Sequence, residues 1–148
     1  MRTLLTIGLT EARAVVVEVV AGASTHGAAV SVAVVDAGGK LLAFERMDGA
    51  PAFSAELALS KAVSSATFGR STSDFEEAIS DRPVFAIGLL QQGQWYAGRG
   101  GAPIVVDGHV VGAVGVSGDT AAQEDELAKE AAGDASASIA SSGLPVVG

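Results

Sequence analysis

Apolar positions at helical spacing open the chain. They lie on one face of a predicted helix that Thr10 caps, with Glu11 in its first turn, and that ends at Gly27. The members of this face are Ala12, Val15, Val16, Val19 and Val20.

The pattern then changes to a β-branched run, "AAVSVAVVD" (residues 28–36), followed by "KLLAFERM" (residues 40–47). The "DAGG" between them has the composition of a tight turn. The two runs therefore predict a β-hairpin.

The middle of the chain is helical by the same criteria. The Ala-rich run "FSAELALSKAVSSATFG" lacks Gly and Pro until Gly69, which predicts a helix that ends there. Ser73 and Glu76 form a capping-box pattern for a short helix that reaches about Ser80, before Pro83.

Four runs after Pro83 are predicted to be strands or extended segments, divided by Gly-rich turns. They are "VFAIGLLQQ", "QWYAGRGG", "APIVVD" and "HVVGAVGVSG". Thr120 and Gln123 then form a capping-box pattern that opens a final helix. The element order predicts an α+β fold with an antiparallel sheet.

Length and composition indicate one globular domain, residues 1–148, with its core at about 9–140 and a tail at 141–148. Of the 148 residues, 49% are hydrophobic and 18% are charged, which excludes a disordered chain. The tail sequence "LPVVG" is expected to be loose or to join a neighbouring copy. The apolar composition also suggests a subunit interface.

Charge and cysteine content exclude several classes of function. A net charge of −8 without a basic cluster disfavours nucleic-acid binding. With no Cys, the chain has no disulfide, thiolate zinc site or cysteine nucleophile. The apolar run at the N-terminus is too short for a secretion signal, and no run is long enough to span a membrane. A cytoplasmic protein with no membrane partner is expected.

Glycines mark candidate ligand-binding segments. Gly100 and Gly101 in "AGRGGAPI" let the backbone approach a ligand or make a tight turn. Ser117 and Gly118 end a strand just before the helix that starts near Thr120, so they are predicted to form the edge of a binding site.

Charged residues near these segments are the candidates for chemistry. Arg46 and Asp48 end the hairpin; each is read either as part of a solvated ion pair or as part of a site wall. Lys61 in an apolar helix and Arg70 after Gly69 are either surface cations or groups that bind a carboxylate. Asp125 belongs to an acidic run that is typical of a solvated helix start.

Only two histidines are present, His26 and His109. Each has an ordinary explanation, as a helix-end residue and as a turn residue, and each is also a candidate axial iron ligand.

Taken in order, four segments resemble the GlcG/HbpS family, the haem-degrading or haem-binding domain that also forms the C-terminus of PduO-type cobalamin adenosyltransferases. The resemblance covers residues 9–133 and rests on "SVAVVDAGGKLLAFERMDGAP", "ALSKAVSSATFGRST", "GRGGAPIVVDGHVVGAVGVSG" and "TAAQEDELAKEAAG". The positions that carry the family pattern are Asp36, Gly38, Gly39, Arg46, Asp48, Gly49, Lys61, Phe68, Gly69, Arg70, Gly100, Gly101, Gly115, Ser117 and Gly118.

The resemblance implies a profilin-like or Roadblock-like α-β-α sandwich with a five-stranded antiparallel sheet. It also implies homo-oligomers with ligand sites near subunit interfaces, and haem or iron as the ligand of some members.

Three functions are therefore open at the level of sequence. The first is a small-ligand-binding domain for haem or a planar anionic aromatic. The second is a cofactor-independent lyase or isomerase on a small carboxylated metabolite. In that scheme Arg46 or Lys61 holds the carboxylate, and Asp48 or Asp125 moves protons. The residues expected to bind the ligand are Arg70, Gly100, Gly101, Ser117 and Gly118. The third is a structural or sensor subunit.

Overall fold

The computed structural model describes residues 4–143; the tail sequence "LPVVG" lies outside them. Five helices and four strands follow one another along this part of the chain. In order they are α1 (Leu9–Thr25), β1 (Ser31–Asp36), β2 (Leu41–Arg46), α2 (Ser54–Phe68), α3 (Thr72–Ile79), α4 (Pro83–Leu90), β3 (Gly101–Val106), β4 (His109–Ser117) and α5 (Ala121–Ser142).

The four strands form one antiparallel sheet in the order β2-β1-β4-β3. One face of the sheet packs against α2, and the other packs against α1 and α5. The larger core lies on the α1–α5 side, where the Val side chains of β1 and β4 meet both helices. The α+β class with an antiparallel sheet is confirmed.

The expectation of five strands was wrong: the described residues contain four. The apolar run that begins at residue 84 is helical as far as Leu90, because Pro83 begins α4 at a position where its missing N–H and fixed φ suit a first helical turn. An unbroken apolar run has no period that separates helix from strand. Residues 94–100 form no strand either, and β3 begins at Gly101.

Helix ends follow local chemistry. Gly69 ends α2 with φ 68°, as expected from the sequence. Thr120 caps α5 by accepting a hydrogen bond from the Gln123 N–H. The cap of α3 is Ser71 rather than Ser73. α1 begins after Gly8, whose N–H donates to the Glu11 carboxylate, and not after Thr10.

α2 packs unusually close to the sheet. A methyl group added at Gly115 on β4 would lie 2.6 Å from the main-chain nitrogen of Ala62 and would also collide with the Ala58 carbonyl oxygen. Ala58 and Ala62 are fully buried. The small side chains on both surfaces therefore set the distance between α2 and β4, and this distance fixes where α2 holds its polar residues.

On the other face of the sheet, α1 and α5 bring carboxylates together. Burial raises the pKa of Glu18 from 4.5 to about 7; a hydrogen bond with Asp134 and the charges of Asp134 and Glu130 act in the same direction. Between pH 4.5 and about 7 the folded protein therefore keeps the Glu18 proton, which the unfolded chain releases.

We expect the protein to lose stability as the pH rises from about 5 to about 8, because deprotonation of Glu18 is opposed only in the folded state. Glu18→Gln should flatten this dependence, with a gain in stability confined to the higher pH. Urea denaturation at both pH values measures it, and Glu126→Gln, at an exposed position of α5, is the control. An unchanged slope in Glu18→Gln would contradict this assignment.

Candidate functional site

A buried ammonium group lies between α2, β4 and α5. Lys61 is 2% exposed. Its Nζ donates to the Val116 carbonyl oxygen at 2.9 Å and to Glu124 Oε2 at 2.9 Å. Lys61 is therefore neither a surface cation nor a group open to a ligand in this conformation, because its charge is paired inside the protein.

Glu124 connects this ion pair to the end of β4. Its Oε1 accepts hydrogen bonds from the N–H of Gly118 at 2.9 Å and from the N–H of Asp119 at 3.3 Å. Because Glu124 lies in the first turn of α5, the positive end of the helix dipole also stabilises its charge. One carboxylate thus holds Lys61, the β4–α5 connection and the start of α5 together.

Gly100 and Gly101 lie against the same group. Gly100 has φ 116°, and a Cβ there would lie 2.5 Å from the Val116 carbonyl oxygen and 3.1 Å from Lys61 Nζ. At Gly101 a Cβ would lie 2.6 Å from the Lys61 carbonyl oxygen. The two glycines therefore allow the turn before β3 to close over the ammonium group.

Arg46 and Ser117 are placed on one row of the sheet. Arg46 pairs with Ser31, which pairs with Ser117 on its other side. Two strand spacings separate Arg46 from Ser117, about 10 Å between main chains. Arg46 is exposed, whereas Ser117 is buried and the Ser31 hydroxyl contacts that of Ser54 at 2.8 Å. Asp48, two residues after Arg46 in the chain, is also exposed.

Asp125 lies on a different surface, in a cleft of about 550 Å³ between α3 and α5. Lys129 donates to Asp125 Oδ2 at 2.9 Å, and Asp125 Oδ1 is buried without a partner. Arg99, which precedes Gly100, lines the same cleft. Asp125 and Asp48 are therefore on separate surfaces.

Arg70 lies at the far end of α2. It lines a cleft of about 470 Å³ with Phe68 and Asp74. Phe68 stacks on Phe75 with 4.6 Å between ring centroids and meets Trp95 edge-on at 5.4 Å. The structure thus gathers an aromatic cluster beside Arg70 that the spacing of these residues in the sequence did not suggest.

The two histidines lie at opposite ends of the molecule. His109 begins β4, and its Nδ1 donates to the Asp107 carbonyl oxygen at 2.9 Å. His26 precedes β1, whose first residue pairs with the last residue of β4. The length of β4, about 26 Å, separates these two ends. Across the described range, no three His, Cys, Asp or Glu side chains cluster to hold a metal ion.

The predicted site residues therefore fall into three groups. Lys61, Gly100, Gly101 and Gly118 lie around the ion pair of Lys61 with Glu124. The second group lies at one end of the sheet and contains Arg46, Asp48 and Ser117. The third lies in two clefts on either side of α3, one lined by Arg70 and the other by Asp125. Glu124, which precedes Asp125 in the acidic run expected to be solvated, is buried, and no local signal in the sequence pairs it with Lys61.

Known proteins of the same fold carry related sequences. Residues 7–133 match the family model for the haem degrading protein HbpS-like family. The chain is 42% identical over 89 residues to protein GlcG of Escherichia coli strain K12, an alignment that covers 60% of this chain and 63% of GlcG.

Two solved structures are similar over most of the chain. The crystal structure of Klebsiella pneumoniae protein ORFY superposes with a TM-score of 0.84 at 32% identity, covering 93% of this chain and 94% of ORFY. The crystal structure of PduOC in complex with haem superposes with a TM-score of 0.78 at 25% identity, covering 88% of this chain and 94% of PduOC.

Among residues 4–143 no helix combines the length and apolarity that crossing a membrane requires. The segments that resembled GlcG and HbpS in sequence thus lie in a fold shared with ORFY and PduOC, and the family model extends over most of the chain. The chain belongs to the HbpS-like family.

Proposed function

We propose that this protein is a small-ligand-binding domain, that its ligand site is completed by a second copy of the chain, and that haem is the first ligand to test. The observation that carries the proposal is the similarity to PduOC, a protein solved in complex with haem. Membership of the HbpS-like family supports the same ligand.

One feature of the chain itself fits an iron ligand. A carbonyl oxygen only accepts hydrogen bonds, so the contact of His109 Nδ1 with the Asp107 carbonyl places the proton on Nδ1. Nε2 of this exposed ring then carries the free lone pair that an axial ligand needs. His109 is the residue that would hold the haem iron, which would supply any redox chemistry.

The two histidines of one copy do not form a pair of axial ligands. His26 and His109 lie at opposite ends of β4, so they do not ligate one iron from the same chain. The Met47 sulfur accepts a hydrogen bond from the Val30 N–H at 3.4 Å and is packed against the core. A second axial ligand would come from another copy or from solvent.

α4 supports association of copies. None of its residues is buried, although it contains only apolar residues and Gly after its first Pro. Val84 is 84% exposed and Ile87 is 59% exposed. A helix that is apolar on all sides is normally covered, and exposed apolar patches mark interfaces. We propose that a second copy covers α4.

Titration with haem tests the proposal. We expect a saturable Soret difference band in the wild-type protein and its loss in His109→Ala, because that change removes the free Nε2. His26→Ala is the matched control and should keep the band. Native mass spectrometry of the same samples reports copies and haem together. A flat difference spectrum, or a haem-free monomer, would remove this function.

A further inference from the structure

The segment that covers Lys61 is unlike the rest of the fold. Residues 94–99, here called the strap, join α4 to β3 without regular secondary structure. Gly93 (φ 84°) and Gly100 (φ 116°) flank the strap in backbone conformations that favour glycine. Glycines at both ends can absorb the φ and ψ changes of a hinge.

Few main-chain hydrogen bonds hold the strap. Within residues 94–99, the Tyr96 N–H is the one main-chain group that makes a hydrogen bond to another part of the described chain. It donates to Ser64 Oγ at 2.8 Å. Two aromatic contacts supplement it: Trp95 meets Phe68 edge-on, and the Tyr96 ring centroid lies 5.5 Å from Lys61 Nζ. A segment held by so few contacts opens at low free-energy cost.

Tyr96 occupies one side of the ammonium group. A lysine ammonium has three N–H donors; two are used, by the Val116 carbonyl oxygen and by Glu124. The Tyr96 ring lies near the same ammonium group, with its centroid 5.5 Å from Nζ, and a Cβ at Gly98 would collide with this ring. An aromatic ring attracts a cation less strongly than a carboxylate oxygen does when both are desolvated.

Glu124 does not serve Lys61 alone. The Glu124 carboxylate is shared with the Gly118 and Asp119 N–H groups and with the N-terminus of α5. Arg99, also in the strap, is exposed and lines the cleft of Asp125. An anion that replaced the Tyr96 ring would therefore meet the Lys61 ammonium and one carboxylate that already has other partners.

We propose that the strap is a lid over a carboxylate-binding site, and that Lys61 Nζ binds the carboxylate of a small organic acid when Tyr96 swings away. The inference goes beyond the proposed haem function, because it names another ligand class and a gate at a different place in the chain. It does not require haem, so failure of haem binding would leave it standing.

The chain contains one Trp and one Tyr, adjacent in the strap, which gives a direct probe. Benzoate is titrated into the full chain while Trp95 emission is recorded, with the neutral isostere benzamide as control. We expect a saturable change with benzoate alone. Acrylamide should quench Trp95 more strongly once benzoate is bound, because the strap has left Phe68. Equal responses to benzoate and benzamide would overturn the proposal.

Variants of Tyr96 separate gating from simple binding. Tyr96→Ala removes the ring that competes for Lys61, so it should bind benzoate about tenfold more tightly. Tyr96→Phe keeps the ring and should bind like the wild type. Lys61→Met should abolish benzoate binding under conditions in which this variant is folded. If Tyr96→Ala binds no more tightly than Tyr96→Phe, the strap is not a gate. Haem titration of the same variants tests the haem proposal independently of benzoate binding.

Discussion

Replacing Lys61 by Met is expected to destabilise the protein by about 3–5 kcal/mol, the usual cost of breaking a buried ion pair by removing one partner. The change leaves the Glu124 carboxylate buried without its cation and leaves the Val116 carbonyl oxygen without a donor. Urea denaturation of the variant and the wild type, at a pH where both are folded, measures the difference.

A double variant shows whether the cost comes from the stranded charge. Lys61→Met combined with Glu124→Gln removes both charges, and the Gln oxygen can still accept from the Gly118 N–H. We expect it to recover part of the lost stability. Lys129→Met is the control, because its ion pair with Asp125 is exposed and contributes about 0.5 kcal/mol. Similar losses for Lys61→Met and Lys129→Met would show that burial of the pair has no energetic weight.

The second large effect is expected at Gly115. Gly115→Ala should cost about 3 kcal/mol, the upper end of the usual penalty for overpacking a core. The added methyl group would collide with the main chain of α2 at Ala58 and Ala62, and main-chain atoms cannot rotate away as side chains do. α2 and β4 must therefore separate.

Gly133→Ala in α5 is the matched control for this prediction. A Cβ at Gly133 has open space around it, and Ala favours a helix interior over Gly by about 1 kcal/mol. The same substitution should thus have opposite signs at the two positions. Thermal denaturation of both variants checks it, and a melting temperature for Gly115→Ala at or above that of the wild type would contradict the close packing described for α2.

Local signals in the sequence were enough for much of the fold. The β-branched run at residues 28–36 and its turn identified the hairpin, and the absence of Gly before Gly69 identified the end of α2. The same reasoning failed at α4, because an apolar run without a period is ambiguous and Pro83 can stop one helix or start the next.

The candidate site was less accessible to sequence reasoning. Lys61 and Glu124 are 63 residues apart, and nothing local marks them as partners. Arg46 and Asp48 were candidates for a site wall because they end the hairpin. The strand order places β1 between Arg46 on β2 and the strand β4 to which Lys61 donates, and strand order is a long-range property of the fold.

The separation of Lys61 and Glu124 also bears on how the chain is made. Proteins are synthesised from the N-terminus, so Lys61 leaves the ribosome long before α5 exists. Until α5 docks, the ammonium group stays hydrated on the open side of α2. α5 therefore both completes the α1–α5 layer and removes Lys61 from water. Docking of α5 is thus the step of synthesis at which the ion pair becomes buried.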